Sequence, residues 1–253
     1  MKISLITVAY NSAATIRNTV ESVLSQTFPD IEYIVVDGVS KDDTIKIVRE
    51  YEPLFNGRLR WISEKDEGLY DAMNKGIRIA TGDVVGIINS DDFYHRNDVI
   101  ETIAKAFEDD TVQATFADVR YVNSDNLNKT VRYYSSKNFA LWRFRFGFMP
   151  AHPSFFTYKK YFDEFGFYRL DYKIAADYEL LLRFLYTHKL KYKYLPIDVM
   201  KMRTGGVSTV SLRNYLHNEE NARACKENGI KTSLLLLSFR YVLKVFEFVI
   251  IRK

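Results

Sequence analysis

Near-continuous apolar runs alternate with segments whose apolar positions recur every three or four residues, and the alternation persists over the first 120 positions. Ile3 to Ala9 predicts a buried strand, and Ser12 to Gln26 follows with Ile16, Val20, Val23 and Leu24 at helical spacing. Ile31 to Val36 predicts a second strand, and the stretch containing Ile45, Val48 and Tyr51 a second helix. Then come a weaker strand (Arg58 to Ile62), a helix (Leu69 to Ala80), a strand (Val84 to Ile88), a helix (Val99 to Phe107) and a fifth strand (Val112 to Phe116). A β-α repeat of this kind predicts an α/β fold, Rossmann-like, with a mostly parallel sheet flanked by helices on both faces. Ligands of such sheets bind outside the carboxyl ends of the strands.

The residues at those ends are polar. They are Ala9-Tyr10-Asn11, Asp37-Gly38, Glu64 and Asp66, and Asn89-Ser90-Asp91-Asp92. Asp and Asn at a strand–helix junction also cap helices, so any single junction is open to either reading. Four carboxylate-rich junctions are harder to explain as caps alone. Asp91 and Asp92, directly after an apolar strand, offer hard oxygen ligands suited to Mg²⁺ or Mn²⁺. Two carboxylates leave coordination positions free, so such a metal would be shared with a diphosphate ligand. No G-x-G-x-x-G and no G-x-x-x-x-G-K-[ST] is present, which excludes a dinucleotide fingerprint and a P-loop.

Beyond residue 120 the pattern turns aromatic and basic. Tyr133, Tyr134, Phe139, Trp142, Phe144, Phe146 and Phe148 interleave with Arg132, Lys137, Arg143 and Arg145. A helix is predicted over about Ala175 to Thr187, strands over Tyr192 to Leu195 and Val199 to Met202, and a polar helix over about Leu212 to Asn228. With no repeat or low-complexity linker, the second half is expected to extend the first as one domain.

Charge sharpens this division. Residues 1–128 carry 13 basic and 22 acidic side chains, and residues 129–253 carry 23 and 10, within a formal net charge of +4. An acidic half that binds a polyanionic nucleotide needs a divalent cation between them. The single cysteine, Cys225, excludes an intrachain disulfide and a multi-cysteine zinc site. It is read as incidental, in a reducing compartment, and the first residues lack the pattern of a signal peptide. A cytoplasmic protein is therefore expected.

The ordered motifs resemble those of family 2 glycosyltransferases of the GT-A fold, in particular bacterial polysaccharide and O-antigen members, over roughly residues 1–210. They are Thr7-Val8-Ala9-Tyr10-Asn11, Val35-Val36-Asp37-Gly38-Val39-Ser40 with Asp42-Asp43-Thr44, and the run from Glu64 through Asp66, Gly68, Asp71 and Asn74 to Gly76. Asn89-Ser90-Asp91-Asp92, His152-Pro153, Ala176-Asp177-Tyr178-Glu179-Leu180 and Arg203-Thr204-Gly205-Gly206-Val207-Ser208 follow. The resemblance implies that residues 1–120 bind a nucleotide sugar, usually a UDP-sugar, and that residues 121–210 face the acceptor.

By the same resemblance, Thr7, Tyr10 and Asp37 hold base and ribose, Asp66 lies near the nucleoside, and Asp91 with Asp92 forms the metal-binding region. Asn11, Asn74, Asn89 and Ser90 belong to the same motifs and are assigned with them to substrate binding. Asp177 matches the catalytic base. A carboxylate suits that role, because an acceptor hydroxyl must lose a proton as it attacks the anomeric carbon, a step to which a positioned base contributes roughly 10²–10⁴-fold. One base and one displacement would invert the anomeric centre; the competing reading has Asp177 cap its helix. His152, Gly205 and Gly206 are expected on loops bordering the site, with His152 open to a structural role. Arg203 is expected to meet a pyrophosphate of the donor or of a lipid acceptor, or to pair with a surface carboxylate. The chain departs from the pattern at Asn89, often Asp in the family, and at Met73, often Arg.

The apolar run from Leu234 to Ile251 is broken by Arg240, Lys244 and Glu247, which with Ser233 share one stripe of a helix at about 100° per residue. Charges in mid-span disfavour a membrane crossing. A C-terminal amphipathic extension, residues 211–253, is therefore expected to lie peripherally on an anionic membrane surface, the inner face of the cytoplasmic membrane. Burial against the catalytic domain or in a homodimer is the alternative. Residues 231–253 hold five basic and one acidic side chain, so the net charge of the chain resides there. The function expected is transfer of a hexose or N-acetylhexosamine from a UDP-sugar to a lipid-diphosphate-linked saccharide, dependent on Mn²⁺ or Mg²⁺, with nucleic acid not expected as a partner. A non-catalytic sugar-nucleotide-binding or assembly subunit is the competing class. A sugar-nucleotide pyrophosphorylase would want a Gly-rich basic loop where Tyr10-Asn11-Ser12-Ala13 stands.

Overall fold

Ile3–Ala9 (β1) and Ile31–Asp37 (β2) are buried at every position, because both faces of the sheet they form are covered. Their side chains alternate between two cores: Ile3 and Leu5 pack on one face with Val20, Val48 and Ile103, while Ile6 and Val8 pack on the other with Met73, Ile77 and Leu181. The computed structural model describes residues 1–204 and 211–240, with the backbone alone for 211–215.

After β1 come Ile16–Leu24 (α1), β2, Thr44–Tyr51 (α2), Leu59–Ser63 (β3), Leu69–Ile79 (α3) and Val84–Ile87 (β4). The strands pair in the order β3-β2-β1-β4, all parallel. The chain leaves β1 for β2 on one side and returns to β4 on the other. The carboxyl ends of β1 and β4 therefore flank a point where the connections diverge, which is where open α/β sheets open a crevice. Gly76 brings α3 hard against Ile6 of β1, where a methyl group would collide with the Ile6 side chain.

The second half is mixed. Phe93–Tyr94 (β5), Val99–Ala106 (α4), Ala114–Asn123 (β6), Asn126–Tyr134 (β7), Phe156–Tyr158 (β8), Lys160–Phe165 (α5), Ala176–Leu182 (α6), Tyr192–Arg203 (β9) and Ser211–Glu227 (α7) follow in turn. The sheet continues β4-β8-β6-β9-β5, with β7 forming a hairpin on β6. β8 is antiparallel to β4 and β6, β5 is antiparallel to β9, and β9 runs parallel to β6. The two separate strands predicted in 192–202 are one. Pro196 and Asp198 interrupt the apolar pattern where β9 shifts register against β6, so the strand reads as two in sequence. The strand predicted at Val112 to Phe116 is only the start of β6, and α6 continues as a wider turn over Arg183–Thr187.

Cys225 is not incidental to the fold. It is fully buried on α7, and its Sγ lies 3.2 Å from the hydroxyl of Tyr178 on α6. Residues 234–240 are helical. Arg240, predicted to lie on a polar stripe, turns inward with 4% exposure, donating to the Gly147 carbonyl and Asn218 Oδ1. Lys244 and Glu247 of that stripe, and Gly205 and Gly206, lie outside the described residues. No helix among the described residues is long and apolar enough to cross a membrane.

Candidate active site

The crevice begins where β1 gives way to a tight turn. Asn11 takes a left-handed conformation (φ 49°), its amide donates to Ser40 Oγ (2.8 Å), and its Oδ1 accepts from the Lys41 amide (2.8 Å). This ties the end of β1 to the loop after β2. The Tyr10 ring is left exposed beside Gly38, where an added Cβ would lie 2.5 Å from Asp66 Oδ2 and 3.4 Å from the Tyr10 ring. A side chain at residue 38 would displace the Asp66 carboxylate from this position. Asp37 is fully buried and accepts from the Ser40 amide (3.0 Å) and Ser63 Oγ (2.6 Å), and from Ser40 Oγ. Asp66 Oδ1 accepts from the Gly68 amide (2.9 Å). Thr7 is fully buried, and its Oγ1 accepts from Tyr33 (3.0 Å). Tyr10, Asn11, Asp37 and Asp66 are thus brought together, while the Thr7 hydroxyl faces the core.

Asn89, Ser90, Asp91 and Asp92 emerge beside this turn at the end of β4. Ser90 Oγ meets Ser12 Oγ at 2.8 Å across the crevice, and Thr19 on α1 donates to the carbonyls of Ser90 (3.0 Å) and Asp92 (2.7 Å). Arg203, at the end of β9, donates to the Asp91 carbonyl and to Asn18 Oδ1 (2.7 Å), and lies over the Phe93 ring. It is therefore a brace for the acidic loop. Asp92 is buried and accepts from Asn89 Nδ2 (3.0 Å). Burial, then the Asp91 charge, pushes Asp92 up to about 8, against the opposing pull of Asn89 and Arg203, and burial also raises Asp91. Two adjacent, partly desolvated carboxylates form a site that a cation would relieve. Among the described residues no three His, Cys, Asp or Glu groups converge on a metal position. The donor set fits an ion that takes its remaining oxygens from a ligand.

Asp177 lies in the first turn of α6, half-buried. It does not cap its helix: the cap position is Ala175, and no side chain bonds there. Its Oδ1 instead accepts from the Tyr178 amide (2.8 Å) and lies 3.4 Å from the Tyr70 hydroxyl, which also reaches the Ile174 carbonyl at 2.5 Å. Burial pushes the Asp177 carboxyl up, offset in part by His152, the Tyr178 amide and Tyr70. Such a carboxylate accepts a proton more readily than a solvated one. The free amides of Lys173, Ile174 and Ala175 all donate to Glu220 of α7, at 2.8, 2.9 and 2.9 Å. A buried carboxylate from the C-terminal region thus anchors the loop that presents Asp177.

His152 is buried beneath this pocket with Nε2 2.6 Å from the Tyr168 hydroxyl, and burial lowers its pKa, so it is neutral at pH 7. Tyr168 stacks on Tyr70 with ring centroids 5.7 Å apart. Asn74 exchanges both side-chain bonds with the Tyr168 backbone, at 2.8 and 2.9 Å, clamping α3 to the loop before α6. Sequence reasoning missed Tyr70, Tyr168 and Glu220. Tyr70 stands inside the Gly68-Leu69-Tyr70-Asp71 motif, but no local signal links Glu220 to a loop 45 residues earlier.

The profile of Glycosyl transferase family 2 matches residues 4–167, more than half of the chain. An uncharacterized glycosyltransferase of Mycobacterium tuberculosis is 35% identical over 184 residues, covering 72% of this chain and 68% of its own. Among solved structures, residues 1–349 of S. aureus TarS in complex with UDP-GlcNAc superpose with TM-score 0.71 at 18% identity, over 94% of this chain and 71% of that one. The mannosyltransferase PcManGT from Pyrobaculum calidifontis, in complex with GDP-Man and Mn²⁺, gives TM-score 0.68 at 18% identity, over 89% and 63%. At that identity the structural likenesses speak for the fold alone, which is GT-A. Profile, relative and motif order agree: the chain belongs to glycosyl transferase family 2, and it is a glycosyltransferase.

Proposed function

We propose that the chain is an inverting, metal-dependent transferase that moves a hexose or N-acetylhexosamine from a UDP-sugar to a lipid-diphosphate-linked saccharide at a membrane surface. The observation that carries this reading is Asp177: a half-buried carboxylate with a raised pKa, presented by an anchored loop and not placed at the cap position of its helix. In this reading it takes the proton of the acceptor hydroxyl as that oxygen attacks the anomeric carbon and the bond to the nucleoside diphosphate breaks. Tyr10, Asn11, Asp37 and Asp66 frame the nucleoside, and Gly38 keeps the floor between them open. Ser12, Ser90 and Arg203 hold the acidic loop in place. Asp91 and Asp92 would hold Mn²⁺ or Mg²⁺, which when bound offsets charge on the leaving diphosphate. The solved neighbours that carry UDP-GlcNAc, or GDP-Man with Mn²⁺, support a nucleotide-sugar donor and a divalent ion.

The test is a donor panel read by UDP release, with lipid-linked acceptors and Mn²⁺ or Mg²⁺. One UDP-sugar should give acceptor-dependent release that Asp177→Asn removes while UDP affinity stays near wild type. UDP binding without turnover of any donor would point instead to a sugar-nucleotide-binding subunit. Release that survives Asp177→Asn would overturn the assignment of the base.

A further inference from the structure

The helix at 234–240 buries Leu237 together with Arg240 against the protein and turns Leu234, Leu235 and Phe239 outward. Leu235 is 83% exposed, Phe239 50% and Leu234 43%, while Arg240 is held by the Gly147 carbonyl and Asn218. The apolar surface continues onto the turn at Leu141–Phe146. Phe239 meets Phe146 with centroids 6.5 Å apart, Phe146 meets Trp142 at 5.8 Å, and Trp142 is 60% exposed. Thr232 Oγ1 donates to the Arg145 carbonyl at 2.5 Å and joins the two segments. Large apolar groups exposed contiguously mark an interaction surface.

The charges on this face select the partner. Segments 139–150 and 229–240 contain Arg143, Arg145 and Lys231, besides the inward Arg240, and no Asp or Glu. Arg143 lies 5.7 Å from the Trp142 ring and Arg145 5.9 Å from the Phe146 ring, so cation and aromatic alternate along the surface. Aromatic rings and cations at one level fit the headgroup zone of a bilayer. A second copy docked through a two-fold axis would press two patches of the same positive sign together, since such an interface uses the same patch twice. The face also backs onto the catalytic loop: Tyr178, next to Asp177, donates its hydroxyl to the Phe144 carbonyl.

Resting on the reading of a lipid-linked acceptor, we propose that residues 139–150 and 229–240 form a docking surface for an anionic bilayer, which brings the membrane against the element that carries the base. The test is co-sedimentation of the full chain with phosphatidylcholine vesicles, with and without 30% phosphatidylglycerol. The full chain should bind the anionic vesicles and lose binding as salt rises. Arg145→Gln with Lys231→Gln should weaken binding roughly 25-fold, from about fivefold per cation. The triple change Trp142→Ser, Leu235→Ser and Phe239→Ser should weaken it at least about tenfold, with the melting temperature and UDP affinity retained. Wild-type binding by both variants, equal binding to both vesicles, or a concentration-dependent dimer that the triple variant dissolves would each overturn the proposal. Vesicle binding is read without turnover, so failure of the donor panel would leave this result standing, and the reverse holds too.

Discussion

At Asp177 two demands oppose each other. The proposed base must ionise, yet burial raises the pKa of Asp177 above the unfolded value, so the folded chain binds that proton more tightly than the unfolded chain does. The stability it contributes is present in full below the unfolded pKa and is lost as pH rises through the folded one. At pH 7 the ionised side chain is a cost, and Asp177→Asn should raise the melting temperature by about 2–4 °C, the shift for about 1 kcal/mol in a chain of this size. The same change should lower kcat by roughly 10²–10⁴-fold. A variant that is both inactive and less stable would contradict the account. Tyr70→Phe removes a donor that favours ionised Asp177, so the acidic limb of kcat should move to higher pH; an unmoved limb would show that Tyr70 only supports the Ile174 carbonyl. Asp177, Asp91 and Asp92 were legible in the sequence because their residue types sit in ordered motifs. Their neighbours were not, since Tyr70 reaches Asp177 from α3 and the partner of Asn89 depends on how one loop closes.

Between elements, α7 bears on the site as much as the sheet does. Glu220 accepts three amide bonds from residues 173–175, which would otherwise be unpaired donors at the start of α6. Glu220→Ala leaves those amides unsatisfied and should cost about 3 kcal/mol in chemical denaturation. It should also lower kcat more than it raises KM, because it frees the loop bearing the base and leaves the donor crevice intact. Glu220→Gln keeps an accepting oxygen and should fall between; equal losses for both would assign the effect to charge alone. The β-α units were readable because each strand pairs with a neighbour laid down by short-range alternation. The β6–β7 hairpin was missed because polar residues such as Arg120, Asn126 and Asn128 interrupt its apolar pattern, and β8 because its three residues, Phe156–Tyr158, are too few to show a period. β9 was split at Pro196 and Asp198 by its shifted register.

For the whole molecule, the acidic half and the basic half correspond to two surfaces. The carboxylates of the first half meet at the ends of β1, β2 and β4, and cations of the second half ring the face formed by the turn at 141–146 and the helix at 234–240. If Asp91 and Asp92 share a metal with the donor, Mn²⁺ and UDP must stabilise the fold jointly. At about 100 times its dissociation constant a ligand adds about 2.7 kcal/mol, so the pair should raise the melting temperature by about 5–10 °C. Either alone should give little, and EDTA should cancel the joint effect. An equal shift from UDP without metal would remove Asp91 and Asp92 from donor binding. The charge division was visible in the sequence; its arrangement on two faces depended on the inward turn of Arg240, which a helical wheel assigns to the outer surface.

The Glu220 anchor also orders events in time. A chain leaves the ribosome from its amino terminus at about 5–20 residues per second, so the strands of the donor crevice emerge well before α7. Until residue 220 arrives, the amides of 173–175 lack their acceptor and Asp177 has no fixed seat. The crevice at the ends of β1, β2 and β4 is therefore laid down seconds before the loop bearing Asp177 gains its anchor.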